Sequence, residues 1–411
     1  MRPRKPIWIL AAAALLLLPL FASSGLQHAL VQAIIFAIFA ASFNLASGAG
    51  GMLSFGHSAF LALGAFATLH VMRAAESGAF PVPTVLLPVA GGVIGLVVGV
   101  VVGYFATLRS GVYFSMLTLA FAELFHQMAP NLSLLFGGET GLSSIRMPSM
   151  GVSFATDLQV YYLVLAWGAI CLALLWLYMQ TPFGRLTLAV RENEQRLRFL
   201  GFNIHATKII IFAISSSIAG IAGGLLAVSN ESANYELFSM TYSANVLLYT
   251  FIGGAGFFLG APLGAAILTL TAFAVTNMTP IWLLYQGLLF VLLMMYAPRG
   301  FGGILAKNIE LYREGRLRSL AGPYLLALVP GVGLLVLVIF VCEALSAFLS
   351  REYAAKRVVG GGSFVPAEFL GTHWDPTSWV TWAVPVGLAL VCWFSLPAAI
   401  RRIRPLLNPH V

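Results

Sequence analysis

The sequence predicts an all-α fold, a polytopic transmembrane helical bundle. Hydrophobic residues make up 60% of the 411 residues and charged residues only 9%, whereas soluble globular domains are about 45–50% apolar. The apolar residues form runs close to the ~20 residues with which an α-helix crosses a bilayer. A β-barrel would instead show alternating segments of ~10 residues.

Hydropathy predicts about ten core helices, several of them interrupted by glycine, and about two further helices toward the C-terminus. The predicted spans are 6–23, 27–47, 52–72, 82–107, 112–131, 158–179, 207–229, 242–258, 259–277, 281–297, 322–345 and 378–398. With a cytoplasmic N-terminus, most of the 22 Lys and Arg residues fall on the cytoplasmic side, as the positive-inside rule requires. The net charge of +8 is then explained without nucleic acid.

Residues 1–26 are predicted to form the first transmembrane helix. They begin with Arg2, Arg4 and Lys5 and continue with an apolar run and small residues. A cleaved signal peptide has the same pattern and is the alternative. We favour the uncleaved helix because the topology of the remaining spans then agrees with the charge distribution.

Two predicted spans are rich in glycine, at residues 48–64 and 253–264. In the predicted topology the helices 27–47 and 207–229, which lead toward them, run in opposite directions across the membrane. Interrupted helices in two inverted halves can mark a substrate site near the bilayer midplane. The alternative is close helix packing through small residues.

One segment, residues 182–203, is densely charged in an otherwise apolar chain. We call it the charged segment. Thr181 can cap a helix whose first residue is Pro182, and Gly201 suits the left-handed position that ends a helix. The sequence therefore predicts one short helix here, with an apolar stripe at helical spacing. The stripe consists of Leu186, Val190, Leu197 and Leu200.

Three interpretations of the charged segment are open. A solvated positive-inside loop explains the arginines but not the predicted caps or the apolar stripe. An amphipathic helix on anionic lipid would have a basic polar face, which Glu192 and Glu194 do not fit. A docking helix for a cytosolic protein partner fits best, because mixed charge orients a partner and discriminates between partners.

Several stretches, in this order, resemble the M-type permease subunits of branched-chain amino acid ABC transporters. They are FNLASGAGGMLSFGHSAFLALGA, LRSGVYFSMLTLAFAE, GGETGL, FGRLTLAVRENEQRLRFLGFNIHATKIIIFAISSSIAGIAGGLLA and YAPRGFGGIL. The resemblance covers roughly residues 27–305 and implies a permease core with those bounds. The charged segment would be its coupling element, and the residues that match the family's loop motif are Arg185, Arg191, Glu192, Asn193 and Glu194.

The resemblance implies a transport subunit rather than an enzyme. It would pair in the bacterial inner membrane with a homologous permease subunit, two cytosolic ATP-binding subunits and a periplasmic solute-binding protein. The substrate would be a branched-chain amino acid or a related small organic solute. None of the chain's lysines lies in a GxxxxGK[ST] phosphate loop, so ATP would be bound by other chains. No cofactor is expected, and membrane lipid surrounds the spans.

Four polar residues in the apolar spans are candidates for a substrate pathway: Asn44, His57, Glu123 and His126. Polar groups in a membrane face a cavity or another helix because lipid cannot solvate them. For His57 the alternative is a hydrogen-bonded packing role. For Glu123 it is a structural ion pair or a protonated carboxyl that caps a neighbouring helix. Glu123 and His126 show no metalloprotease spacing, so neither metal nor catalytic chemistry is expected.

Residues 306–411 extend beyond the family's usual end. They are predicted to hold a charged linker, two further transmembrane helices and an outer loop at 346–377. That loop is either a flexible connector or a contact for a partner through Trp374, Asp375 and Trp379. Cys171, Cys342 and Cys392 lie in apolar runs and suggest no disulfide framework. The alternative function is an ion-coupled secondary transporter with Glu123 and His126 as proton carriers.

Overall fold

The prediction of an all-α fold is confirmed by a computed structural model of the chain. The structure describes residues 15–79, 82–148, 153–276, 279, 281–296, 299–304, 308, 333–334, 336–351, 353–355, 367–369, 372–375, 378–379, 381–383, 385–387 and 389–391. The start of the predicted span 6–23 and the predicted linker 306–321, apart from residue 308, lie outside these residues. The described residues form two compact units: one contains those up to Ala274 and Gln286–Ile304, and the other contains Val275–Tyr285 and those beyond Ile304.

Helices dominate the described residues. The principal helices are α1 (Ser24–Asn44), α2 (Ser58–Glu76), α3 (Leu87–Ala106), α4 (Val112–Met128), α5 (Ser133–Phe136), α6 (Asp157–Gln180), α7 (Pro182–Glu192), α8 (Glu194–Phe199), α9 (Ile204–Asn230), α10 (Met240–Gly253), α11 (Gly260–Thr276), α12 (Trp282–Tyr296) and α13 (Val336–Leu349). Short 3-10 turns lie at Leu18–Leu20, Thr84–Leu86, Ala129–Asn131, Gly138–Thr140 and Tyr235–Phe238.

Five helices in the described part of the chain are long and apolar enough to cross a membrane. They are Ser24–Ala49, Ser58–Glu76, Thr84–Ala106, Asp157–Gln180 and Ile204–Asn230. The spans predicted at 112–131 and 242–258 correspond to the shorter helices α4 and α10. The chain is therefore a multi-pass membrane protein.

The first glycine-rich segment interrupts a helix, as its composition indicates. After α1 the chain continues as a π-helical turn, Leu45–Ala49, and leaves the helix at Gly51, whose φ is +69°. Helix α2 begins only at Ser58, so the helix expected over 52–72 is wrong for its first six residues. A left-handed residue ends a helix because the following amides no longer face the preceding carbonyls.

Small residues set the packing of α9 against α2 and α3. A Cβ atom at Gly95 would collide with the Ser216 carbonyl oxygen, and one at Gly91 would collide with the Gly220 carbonyl oxygen. The α2 backbone approaches α9 in the same way, at Gly64. Because no side chain separates these backbones, the three helices pack at close range.

Two antiparallel strands of two residues each join loops of the first unit. Leu142 in β1 (Leu142–Ser143) pairs with Ala233 in β2 (Ser232–Ala233). This pairing ties the chain after α5 to the chain that follows α9.

The second unit holds the described part of the C-terminal extension. Helix α13 overlaps the end of the predicted span 322–345 and extends past it to Leu349. In the predicted span 378–398, residues 381–383, 385–387 and 389–391 are helical. The Tyr285 hydroxyl donates a hydrogen bond of 2.8 Å to the Glu343 carboxylate. The predicted outer loop contains a hairpin of β3 (Ala367–Phe369) and β4 (Thr372–Trp374).

Candidate functional site

The charged segment forms two helices, so the prediction of a single helix is wrong. Thr181 caps α7 as expected, since its hydroxyl accepts a hydrogen bond of 3.2 Å from the Gly184 amide. Asn193 is extended, with φ −159° and ψ 98°, and this ends α7. The Asn193 side chain then accepts a hydrogen bond of 3.0 Å from the Arg196 amide and caps α8. Asparagine favours such a cap over a helix interior because its amide oxygen competes for backbone amides.

The apolar stripe of the charged segment is buried in part. Val190 and Leu197 form a small buried cluster with Ile204 at the start of α9, and Leu186 packs against it. Leu200, the fourth residue of the predicted stripe, is 67% exposed because the chain turns there toward Gly201, whose φ is +86°. The stripe therefore holds the charged segment against the end of the membrane helix α9.

Arg191 connects the charged segment to the interruption after α1. Its guanidinium group donates a hydrogen bond to the carbonyl oxygen of Gly48 in the π-helical turn. A Cβ atom at Gly51 would lie 3.2 Å from Arg191 Cγ, so a larger residue at 51 would crowd the arginine. The glycine-rich segment thus receives a side chain from the charged segment, a contact that the sequence pattern does not show.

Glu194 connects the charged segment to two further elements. Its carboxylate lies 2.6 Å from Lys208 Nζ and accepts a hydrogen bond of 3.3 Å from the Ser110 hydroxyl. Lys208 Nζ donates a hydrogen bond of 2.8 Å to the same Ser110 oxygen. Ser110 lies in the turn between α3 and α4, and Lys208 lies in the first turns of α9. We call these three residues the Glu194 cluster.

The remaining predicted coupling residues lie on the surface of the chain. Arg185 and Glu192 are exposed and make no side-chain hydrogen bond or ion pair within the described residues. Several apolar side chains of the charged segment are exposed as well. Those more than 40% exposed are Phe183, Leu188, Phe199, Leu200 and Phe202. The five predicted coupling residues therefore separate into a pair directed at membrane helices, a helix cap and a surface pair.

Sequence reasoning missed Lys208 and Ser110. Lys208 carried a signal, because a lysine in the first turns of an apolar span needs an anionic partner. Ser110 carried none, since a serine beside a glycine is common in turns. Ser110 and Lys208 are separated from Glu194 along the chain, so the sequence gives no sign that the three residues are in contact.

His57 lies in a buried aromatic environment between the π-helical turn and α2. Its Nε2 atom is 3.1 Å from the Ser42 hydroxyl, and its ring stacks on Phe39 with centroids 5.6 Å apart. The Ser42 hydroxyl donates its proton to the Phe39 carbonyl oxygen, so His57 Nε2 is the donor to Ser42. His57 Nδ1 has no hydrogen-bond partner among the described residues. These contacts fit the packing interpretation.

Asn44 joins the two glycine-rich segments. Its amide nitrogen donates a hydrogen bond of 3.2 Å to the Phe257 carbonyl oxygen, in the turn between α10 and α11. A Cβ atom at Gly48 would collide with the Asn44 amide oxygen. The Asn44 side chain therefore fits only because the next turn of the helix carries glycine.

Glu123, His126 and Gln127 share one face of α4, as their spacing predicts. Gln127 donates a hydrogen bond of 2.7 Å to Glu123 Oε1, and His126 Nδ1 lies 3.8 Å from the same oxygen. The Glu123 side chain is 49% exposed. No described contact joins this group to Asn44 or His57. Within the described ranges, no three His, Cys, Asp or Glu side chains are placed to hold a metal ion.

An ion pair lies at the C-terminal end of α9, the end opposite the charged segment. The Glu231 carboxylate accepts hydrogen bonds from Arg146 Nε at 2.8 Å and from the Arg146 amide at 3.0 Å. Burial opposes ionisation of Glu231, but the Arg146 hydrogen bonds and charge outweigh it and hold the pKa of Glu231 below its ordinary value. The pair anchors the loop that carries β1.

The family model described as the permease component of branched-chain amino acid transport systems matches residues 25–298. The high-affinity branched-chain amino acid transport system permease proteins LivM of Salmonella typhimurium and Escherichia coli are each 27% identical over 319 residues, covering 71% of this chain and 73% of theirs. The ribose import permease protein RbsC of Haemophilus influenzae is 25% identical over 198 residues, covering 46% of this chain and 57% of its own. No solved structure is significantly similar to the chain.

Proposed function

The chain belongs to the family of permease components of branched-chain amino acid transport systems, and we therefore propose that it is a membrane subunit of an ATP-binding cassette importer. Two cytosolic ATPase subunits, a homologous permease subunit and a periplasmic solute-binding protein would complete the transporter. The N-terminus would lie in the cytoplasm of a bacterial inner membrane, which places the charged segment on the cytoplasmic side.

The observation that carries this proposal is the division of the charged segment into two sides. Arg191 and Glu194 contact membrane helices, while Arg185 and Glu192 are exposed, as are apolar residues of the same segment such as Phe199. Mixed charge around an apolar patch is the composition of a protein interface with a polar rim. A segment with one side fixed to the membrane helices and the other open can receive a cytosolic ATPase.

The exposed face of α4 is evidence for the proposed second permease subunit. Glu123 and Gln127 lie on this face together with exposed apolar residues such as Met116 and Leu124. A carboxylate exposed to lipid is costly, so this face is expected to meet another protein subunit or a water-filled path. We assign Glu123 and His126 to a path between two permease subunits, with Asn44 and His57 at the interrupted helices beside it.

The proposed substrate is a branched-chain amino acid or a related small organic solute. Support comes from the two LivM relatives, which are named for the transport of branched-chain amino acids. A third relative is named for ribose, so permeases similar to this chain serve chemically different solutes. Substrate choice would then reside mainly in the soluble binding protein, whose melting temperature in the presence of candidate solutes identifies the substrate.

Docking of the ATPases is tested by reversing the two exposed charges, with Arg185→Glu and Glu192→Lys in one chain. We expect recovery of the ATPase subunits in pull-down from detergent to fall by at least about tenfold, because like charges brought together at an interface cost several kcal/mol. Unchanged recovery together with unchanged transport would remove the docking assignment.

The matched control is Glu139→Lys, a charge reversal at an exposed residue of the Gly138–Thr140 turn. It should leave ATPase recovery unchanged. The secondary-transporter alternative makes the opposite prediction. Vesicles that contain this chain alone would then accumulate solute, and an uncoupler would abolish that accumulation.

A further inference from the structure

Lys208 is a buried cation near the start of α9, a helix that contains no other Lys, Arg, Asp or Glu. It is only 4% exposed, and both of its described partners, Glu194 and Ser110, come from other elements. A buried ammonium group is tolerated only when its charge and donors are satisfied. Lys208 and Glu194 therefore hold each other in place.

The Glu194 cluster joins three parts of the chain at one point. Glu194 begins α8, Ser110 lies in the turn between α3 and α4, and Lys208 lies in α9. The hydroxyl of Ser110 both donates to Glu194 and accepts from Lys208, so each residue contacts the other two. Helices α3 and α9 also pack together closely through Gly95 and Ser216. A displacement of α8 would thus pull directly on α3 and α9, which are tightly packed against each other.

Two contacts elsewhere hold the other half of the charged segment. Arg191 donates to Gly48 after α1, and Thr187 Oγ1 lies 2.8 Å from the Tyr178 hydroxyl of α6. These contacts leave α8 without a polar tie to a membrane helix other than the Glu194 cluster, within the described residues. The polar connection from α8 to the membrane helices therefore depends on Glu194, and the apolar contact of Leu197 with Ile204 is its other support.

We propose that Glu194, Lys208 and Ser110 are positioning residues that transmit ATPase movement from the charged segment to α3, α4 and α9. The inference rests on the proposed function and adds the route of coupling to it. The cluster stays formed through the transport cycle and acts as a rigid link. Its loss leaves the exposed docking side intact but separates ATP hydrolysis from solute movement.

The test uses the complete transporter reconstituted in liposomes, with solute uptake and ATP hydrolysis measured together. In Glu194→Gln and in Lys208→Met, the ATPase subunits should still co-purify. Solute moved per ATP hydrolysed should fall by about tenfold, within the range of coupling between two sites. The charge exchange, Glu194→Lys with Lys208→Glu, should restore much of the ratio, which a purely local packing role would not produce.

Arg109→Gln is the matched control. It removes an exposed charge beside Ser110 in the same turn, and the ratio should stay that of the unmodified chain. Ratios unchanged in both single variants would overturn the inference. Loss of the ATPases from those variants would also overturn it, because the cluster would then serve assembly rather than coupling.

A second measurement covers variants that fail to fold. Ser110→Cys and Glu194→Cys are joined by a short thiol cross-linker in the assembled transporter. Before cross-linking, solute moved per ATP should be lowered as in Glu194→Gln, and a cross-link that raises it again supports a link that stays formed. A cross-link that leaves the ratio low or abolishes the remaining uptake overturns the inference. Failure of the proposed function is distinguishable, because the unmodified chain would then recover no ATPase, and both proposals would fall together.

Discussion

Glu231 and Arg146 show how one ion pair can hold a loop at the end of a membrane helix. Glu231 follows α9 in a left-handed conformation, with φ +54°, which a residue other than glycine adopts at some cost. Its carboxylate binds both the backbone and the side chain of Arg146, and its carbonyl oxygen accepts from the Ser144 amide. These bonds offset the cost of the backbone conformation and keep the β1 loop against α9.

This pair should make the loop sensitive to acid. The pKa of Glu231 is lower in the folded chain than its ordinary value of 4.5, so its stabilisation is complete above that value. The stabilisation is lost as the pH falls from 4.5 through the folded-state pKa. Hydrogen exchange of the amides at 142–148 should therefore accelerate on acidification, beyond the intrinsic pH dependence of exchange.

Glu231→Gln isolates the contribution of this one carboxyl. The variant should exchange faster than the unmodified chain at neutral pH and should lack the additional acid-induced step. The Glu76 carboxylate accepts a hydrogen bond from Ser144 in the same region, so some acid response remains in the variant. Equal acid responses in the two chains would contradict the role of Glu231.

At the scale of elements, glycine decides how α3 and α9 pack. Gly91, Gly95 and Gly99 follow one another at intervals of four residues on α3, and a Cβ atom at each would collide with α9. Residues at that interval share a helix face, so one side of α3 is free of side chains. Sequence reasoning identified the glycine-rich segments at 48–64 and 253–264 and passed over this third one, although its spacing was visible.

Gly95→Ala should destabilise the helix pair. The added methyl group would meet the Ser216 carbonyl oxygen, and relieving such overpacking costs about 1–3 kcal/mol. We expect a lower melting temperature in detergent and weaker transport, since the Glu194 cluster acts on this helix pair. Thermal unfolding followed by circular dichroism gives the first quantity.

Gly287→Ala provides the comparison for that experiment. Nothing lies within 4 Å of a Cβ atom built at Gly287, and alanine has the higher helix propensity. The melting temperature should stay the same or rise slightly. If both alanine variants behaved alike, backbone propensity rather than close packing would govern α3 and α9.

For the whole molecule, the two units indicate different roles. The residues in which we place docking, coupling and the substrate path all belong to the first unit, and the family match ends at residue 298. The second unit has its own aromatic core, in which Phe340 and Trp374 have centroids 4.8 Å apart. Trp379 is 78% exposed, so of the two predicted contact tryptophans it is the one available to a partner.

A chain that ends after Ile304 should keep ATPase recovery and ATP-dependent transport. It should be less stable than the full chain, because Tyr285 loses its hydrogen bond to Glu343 and such a bond contributes about 1 kcal/mol. Tyr285→Phe in the full-length chain should reproduce part of that loss in melting temperature. Abolished ATPase recovery in the truncated chain would show that the extension belongs to the docking machinery.

The fold class, the family and the position of the charged segment along the chain can all be recognised from the sequence alone. Long apolar runs, the charge distribution and helix-capping residues such as Thr181 act locally or through composition, so they can be read along the chain. The division of the charged segment into two helices could also have been predicted, since Asn193 is a strong helix-capping residue. The single-helix prediction gave more weight to the continuous apolar stripe.

Which charges of the segment contact the membrane helices depends on packing between distant parts of the chain. Arg185, Arg191, Glu192 and Glu194 are alike in one dimension, but Arg191 and Glu194 meet Gly48 and Lys208. Those partners are distant along the chain, and the packing of α9 against α1 and α3 brings their elements together. A charged side chain of the segment binds a membrane helix where packing places a partner beside it, and otherwise stays exposed to a cytosolic protein. The reason is that the free energy of an ion pair depends on the distance between the charges and on their burial.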